Sequence, residues 1–158
     1  MSLGGGGGQM QELQQQLQLI DQEIEALREE IDEFQTEQTE IDDAVEAIET
    51  LDDGDTVQVP LGGGAYLRAE VQDMSRIVVG LGGGYSAERD EEGAKASLER
   101  KQELLDDRID EVREDISDLE DESDQLEQRA QQMQQQQMQQ MQQQMQQQQQ
   151  QQGDQDDE

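Results

Sequence analysis

Residues 10–48 read MQELQQQLQLIDQEIEALREEIDEFQTEQTEIDDAVEAI, and the fold turns on them. Met10, Leu13, Leu17, Ile20, Ile24, Leu27, Ile31, Phe34, Gln38, Ile41, Val45 and Ile48 recur in alternating steps of three and four without a slip. That is the heptad spacing of a coiled-coil seam. Only Gln38 is polar, and the flanking positions are largely Gln, Glu and Asp, so the apolar stripe is narrow. Asp52-Asp53-Gly54 then stops the helix, because Gly tolerates the left-handed backbone found past helix ends.

A second seam lies downstream. Leu98, Gln102, Leu105, Ile109, Val112, Ile116, Leu119, Ser123, Leu126, Ala130 and Met133 again alternate three and four. Its helix begins near Asp90, with Glu91 and Glu92 well placed against the positive end of the helix dipole. Each helix of about 40 residues spans about 60 Å at 1.5 Å per residue. Equal lengths joined by a compact middle segment predict an antiparallel hairpin, with Met10 near Ala130 and Ile48 near the start of the second helix.

The middle segment has a period of two. Val57, Val59 and Leu61 alternate with Thr56, Gln58 and Pro60, and Ala65, Leu67, Ala69 and Val71 alternate with Tyr66, Arg68 and Glu70. Ile77, Val79 and Leu81 follow, then Tyr85 and Ala87. Alternation bounded by glycines predicts strands with tight turns. Val59-Pro60-Leu61-Gly62-Gly63-Gly64 is echoed by Val79-Gly80-Leu81-Gly82-Gly83-Gly84, which predicts two β-hairpins in tandem. The organisation is a flexible Gly-rich leader (1–9), a helix (10–53), the hairpins (54–88), a second helix (89–133) and a Gln/Met-rich, acidic tail (134–158). The fold class is mainly α: an antiparallel two-helix coiled-coil hairpin with two small β-hairpins between the helices.

Composition fits this frame. The apolar fraction is 30% with one Phe, two Tyr and no Trp, against roughly 45–50% in ordinary globular domains. A seam between two helices needs far less. The formal charge is −31, from 41 acidic and 10 basic residues. Such a chain repels phosphate backbones and anionic lipid, which argues against nucleic-acid and membrane-surface roles. The acidity reads either as an interaction surface or as adaptation to a salty cytoplasm. Its spread along the whole chain favours the second.

Cys and His are absent, which removes thiol, zinc-finger, disulfide and imidazole chemistry. No apolar run approaches the roughly 20 residues of a membrane span, and the start of the chain lacks the basic and apolar regions of a signal peptide. A cytoplasmic protein is expected. The glycine runs are not phosphate loops: Ala65-Tyr66 and Tyr85-Ser86 stand where Lys and Ser or Thr belong, and Tyr85 breaks the dinucleotide-binding spacing that starts at Gly80. Asp52-Asp53-Gly54-Asp55 lacks the length and closing Glu of a calcium loop. No pocket for paired catalytic carboxylates is evident. No catalytic residue, metal or cofactor is expected.

Two surfaces remain. Short strands leave open edges and too little core to stand alone, so Val57, Val59, Leu61, Leu67, Val71, Ile77, Val79, Leu81 and Tyr85 are the expected oligomerisation surface. Coverage of this small sheet by the chain's own helices is the alternative. At the other end of the hairpin, Met10, Leu13, Leu17, Leu19, Leu126, Met133 and Met138 are the expected contacts for apolar clients, Met being flexible and polarizable. From residue 138 on, the tail reads equally as a contact surface or as low-complexity sequence with no role.

Helix, two hairpins and helix in that order, with the glycine-ended repeat, resemble a prefoldin α subunit over about residues 10–135. The resemblance implies assembly with prefoldin β subunits, two α with four β, on a β-barrel platform. It further implies capture of unfolded or nascent polypeptides without ATP, and transfer to a group II chaperonin. β-type subunits carry a single hairpin, so two here indicate the α type. The acidity suggests a halophilic archaeal source. A coiled-coil scaffold or spacer without client binding is the competing reading. A helical exchange factor is disfavoured, because that class carries its β domain at the end of a long helix.

The charge makes a prediction. Without screening, acids on both helices should loosen the hairpin, so helicity and assembled mass should fall between about 3 M and about 0.1 M salt. Unchanged circular dichroism and sedimentation across that range would contradict it.

Overall fold

The computed structural model describes residues 5–153. Its elements are α1 (Gly5–Thr50), β1 (Thr56–Gly62), β2 (Ala65–Glu70), β3 (Ile77–Gly82), β4 (Tyr85–Arg89) and α2 (Glu91–Gly153). The chain divides into two compact units, one of residues 1–29 with 113–158 and one of residues 30–112.

In the hairpin-bearing unit, residues 30–112, ion pairs set the helix direction. Glu30 pairs with Arg108 at 3.5 Å, Glu37 with Lys101 at 2.8 Å and Glu49 with Lys95 at 3.7 Å. Numbers rise along α1 as they fall along α2, so the helices are antiparallel. Ile41, Ile48, Leu105, Ile109 and Val112 are buried along the seam. The two polar seam positions meet. The Gln102 amide donates to the Gln38 carbonyl at 3.1 Å and to the Asp42 carboxylate, while the Gln38 amide donates to Asp106 Oδ1 at 2.6 Å. Neither glutamine is left unsatisfied, which is the condition for tolerating a polar layer in a seam.

In the helical unit the same direction holds, with Arg28 paired to Glu120 at 3.0 Å. Leu13, Ile20, Ile24 and Ile116 are buried. Every seam position expected from the sequence is buried or half-buried in one unit or the other, and every residue from 134 to 153 is exposed. The exposed ion pairs orient the helices more than they stabilise them, such pairs contributing about 0–1 kcal/mol. Burial of the seam is the main term, at about 1.5–3 kcal/mol for a fully buried Ile or Leu.

Each hairpin is a separate two-stranded antiparallel sheet, β1 with β2 and β3 with β4. The sequence repeat is a structural repeat. The register skips between Pro60 and Gly62 and again between Gly80 and Gly82, so Leu61 and Leu81 occupy equivalent bulges. Gly63 and Gly64 have φ of 60° and 81°, and Gly83 and Gly84 have 62° and 80°. Both central turn residues therefore sit in the left-handed region that a tight type I′ hairpin requires.

Several boundaries differ from the sequence expectation. Gly5–Gln9, expected to be flexible, is helical, while residues 1–4 of that leader lie outside the described residues. Once the seam has nucleated the helix, each further residue adds a hydrogen bond at little cost. A Cβ on Gly6 would come 2.5 Å from Gln137 Nε2, so glycine here admits a close approach of α2. α1 ends at Thr50, short of residue 53, and Gly54 (φ 89°) occupies a turn closed by the Asp55 N–H on the Asp52 carbonyl, 3.1 Å. α2 starts after Asp90, whose carboxylate accepts the Gly93 N–H at 2.7 Å as an N-cap. It runs to Gly153 because Gln and Met are good helix formers. Residues 154–158 of the expected tail lie outside the described residues.

Replacing Ile109, which is 4% exposed, by Ala should destabilise the chain by about 2–5 kcal/mol. Leu19→Ala, at a position 64% exposed, should change stability by no more than about 0.5 kcal/mol. Denaturant unfolding followed by helicity measures both, and equal effects would contradict the seam assignment.

Candidate functional site

The two hairpins meet different fates within the chain. On the second, Val79 is 6% exposed and joins Ile48 and Ala94 in one cluster, with Ile77 and Leu98 packed against it. The chain's own helices therefore cover one face of β3–β4, so Val79 is an internal core residue and not the open assembly contact expected from its sequence. Ala94 and Met74 belong to the buried set as well and were not expected there. Ala94 stands four residues before Leu98, so extending the seam by one step would have found it. Met74 lies between the hairpins, where no periodicity reaches. Its N–H donates to Asp53 Oδ1 at 2.7 Å.

The first hairpin has no such cover. Val59 faces Leu67 across the strands and Val57 faces Ala69. Val59 is 41% exposed, Leu61 66% and Leu67 55%, and Tyr66 beside them is 61% exposed. Val57 and Val71 are half-buried. The hairpin is anchored at its base, where the Gly54 N–H donates to the Val71 carbonyl and the Val71 N–H to the Asp55 carbonyl, each 2.8 Å. Leu81 and Tyr85 near the turn of the second hairpin are exposed too. A two-stranded sheet with a bare apolar face is marginal in water by itself. The arrangement supplies an adhesive surface.

The helical unit holds the second set. Leu13 is buried in the seam, so it supports the helix pair and is not the open client contact expected. Met10, Leu17, Leu126 and Met133 are half-buried, and Leu19 and Met138 are exposed. Gln9, Gln16, Leu13, Arg129 and Met133 line a shallow groove of about 420 Å³. Beyond it Met138, Met141 and Met145 are each exposed on α2, at spacings of three and four that share one helix face.

Electrostatics give no sign of chemistry at either surface. The Ser75 hydroxyl and N–H donate to Asp73 and hold its carboxyl below the usual range. The Glu88 carboxylate, hydrogen-bonded to Arg76, raises that guanidinium. Both shifts strengthen the charged form, so neither group is poised to exchange protons near neutral pH. Among the described residues no three or more Asp or Glu side chains converge as a metal site, and no helix is long and apolar enough to cross a membrane.

Comparison with known sequences identifies the architecture. The family described as prefoldin subunit matches residues 20–136. The chain belongs to the prefoldin family. The prefoldin subunit alpha of Halorubrum lacusprofundi is 62% identical over 112 residues, which cover 71% of this chain and 74% of that one. That of Haloarcula marismortui is 57% identical over 107 residues, 68% of this chain and 70% of the relative. A filamentous prefoldin from Methanocaldococcus jannaschii has the same fold, with a TM-score of 0.62, 26% identity, and coverage of 71% of this chain and 95% of that one. The prefoldin beta subunit from Thermococcus strain KS-1 shares the fold at a TM-score of 0.50 and 21% identity, over 78% and 90% of the two chains. The matched relatives from salt-adapted archaea are named α subunits, in keeping with the two hairpins. The prefoldin match stops at residue 136, just before the methionine stripe.

The hairpins' inequality has a measurable consequence. Val79→Ala should lower the stability of the isolated chain by about 1–3 kcal/mol, and Leu67→Ala by no more than about 0.5. Equal losses would mean that both hairpins are covered within one chain.

Proposed function

We propose that this chain is the α-type subunit of a cytoplasmic prefoldin complex, two α with four β subunits, that holds unfolded polypeptides without nucleotide and passes them to a group II chaperonin. One observation carries the reading: the chain buries or half-buries every position of its helix seam yet leaves Val59, Leu61 and Leu67 of its first hairpin exposed. A face of that kind calls for sister subunits. Val57, Val59, Leu61, Leu67, Val71, Leu81 and Tyr85 are the assembly contacts, with Ile77 supporting them from the hairpin core.

Client capture is assigned to the end where Gly6 approaches Gln137. Met10, Leu17, Leu126 and Met133 offer partly open apolar surface there, and Leu19 and Met138 fully open surface. Such contacts are individually weak. Several copies acting on one client raise the effective concentration and give avidity without a tight site. Weak contacts also let go when a chaperonin competes, which makes nucleotide hydrolysis unnecessary.

The test is aggregation of a chemically denatured protein in high salt, followed by light scattering. The complex assembled with its β subunits should suppress scattering at stoichiometric amounts. A complex lacking residues 1–19 and 127–158 of this chain should assemble yet suppress less. Unchanged scattering with the intact complex would refute the holdase reading. Full suppression by the truncated complex would remove the capture role from this chain and leave it a scaffold.

A further inference from the structure

The β3–β4 hairpin and the adjoining face of α2 enclose an open groove of about 670 Å³, lined among others by Gly80, Leu81, Arg89, Arg100 and Leu104. Its charge is unusual. The chain has 41 acidic residues to 10 basic ones, and Arg28, Arg76, Lys95, Lys101 and Arg108 each pair with a carboxylate. Arg68, Arg89, Arg100 and Arg129 show no ion pair among the described residues, and two of these four, Arg89 and Arg100, line this one groove. Lys101, also in the lining, is already held by Glu37.

Gly80 is the second anomaly. Its φ is not positive, and a Cβ added there would meet nothing within 4 Å. Nothing inside the chain therefore requires glycine in mid-strand, where it weakens a strand. Its counterpart in the first hairpin is Pro60, paired with Tyr66 as Gly80 is paired with Ser86. A proline can hold that position only if the backbone nitrogen points away from the partner strand, toward the free edge. By the same register the Gly80 N–H points to the free edge of β3. Pro60 blunts one edge, whereas Gly80 leaves a donor and open space for a second backbone. Leu81, 53% exposed, and Leu104, 63% exposed, add apolar surface to the same groove.

We propose that this groove is a recognition site for an acidic edge segment of a prefoldin β subunit, whose backbone adds to β3 at Gly80 and whose carboxylate is clamped by Arg89 and Arg100. The planar guanidinium fork suits bidentate carboxylate recognition. Enclosure between the two subunits shields the pair from salt that would screen an exposed one. The inference rests on the assembly proposed above and adds what selects the partner.

The full-length chain is mixed with its cognate β subunit in about 3 M KCl, and assembly is titrated by sedimentation. Arg89→Glu/Arg100→Glu and, separately, Gly80→Pro should each weaken assembly by about tenfold or more. The isolated variants should keep wild-type helicity, and Pro60 shows that the backbone tolerates proline at this register. Arg89→Lys/Arg100→Lys should fall between wild type and the reversal. If the wild-type chain does not assemble with β, the assembly reading itself fails. If wild type assembles and the reversal and proline variants do so with unchanged affinity, only the clamp is overturned. Loss of self-association of this chain with its assembly with β intact would overturn it too, by making a second copy the occupant.

Discussion

One polar layer fixes the alignment on which the hairpin-bearing unit depends. Gln38 and Gln102 are the polar seam positions of this unit, and they lie opposite each other, with Asp42 and Asp106 as flanking acceptors. A slip of one heptad would break these three hydrogen bonds, each worth about 0.5–1.5 kcal/mol net. Ile and Leu at the remaining positions hold the helices together without preferring one register strongly. The glutamines supply that preference. The alignment they select also brings Ile48 beside Ala94, and this pair forms the floor on which Val79 of the second hairpin packs.

The two hairpins then divide the work. They derive from one sequence repeat, with the same bulge and the same glycine turn, yet only the second has a floor within the chain. Its covered face makes it a rigid part of the subunit, while the first presents an equivalent face to water. A prefoldin subunit built this way cannot satisfy all its apolar surface alone, which is the physical reason for it to assemble. The excess of carboxylates along both helices opposes indiscriminate association. Specific contacts must overcome that repulsion locally, and the arginines beside β3 are placed to do so.

Much of this was legible in the sequence. Three-four periodicity located the seam from Met10 to Ile48 and from Leu98 to Met133, missing only Ala94 one step before Leu98; period-two alternation located the strands, and the repeat announced the twin hairpins. Periodicity names a face without saying what lies on it. Leu13 and Val79 fitted their apolar patterns as well as any neighbour, but whether a patterned residue meets its own chain or a partner is settled by packing. Met74 belongs to no pattern, because a residue between two hairpins is buried by tertiary geometry alone. The helical state of Gly5–Gln9 ran against glycine's low propensity, and cooperative extension from the seam won. Arg89 and Arg100 lie far enough apart in sequence, on a strand and a helix, that only the fold brings them to one groove.

The central claim is the antiparallel register set by the glutamine layer, and the absence of native cysteine makes it directly measurable. Cysteines replacing Glu37 and Lys101, which pair at 2.8 Å, should be joined within one chain by a short thiol cross-linker. Cysteines replacing Glu30 and Lys101, one heptad or about 10 Å out of register, should not. Efficient intramolecular linkage of the second pair, or linkage of the first only between chains, would contradict the account.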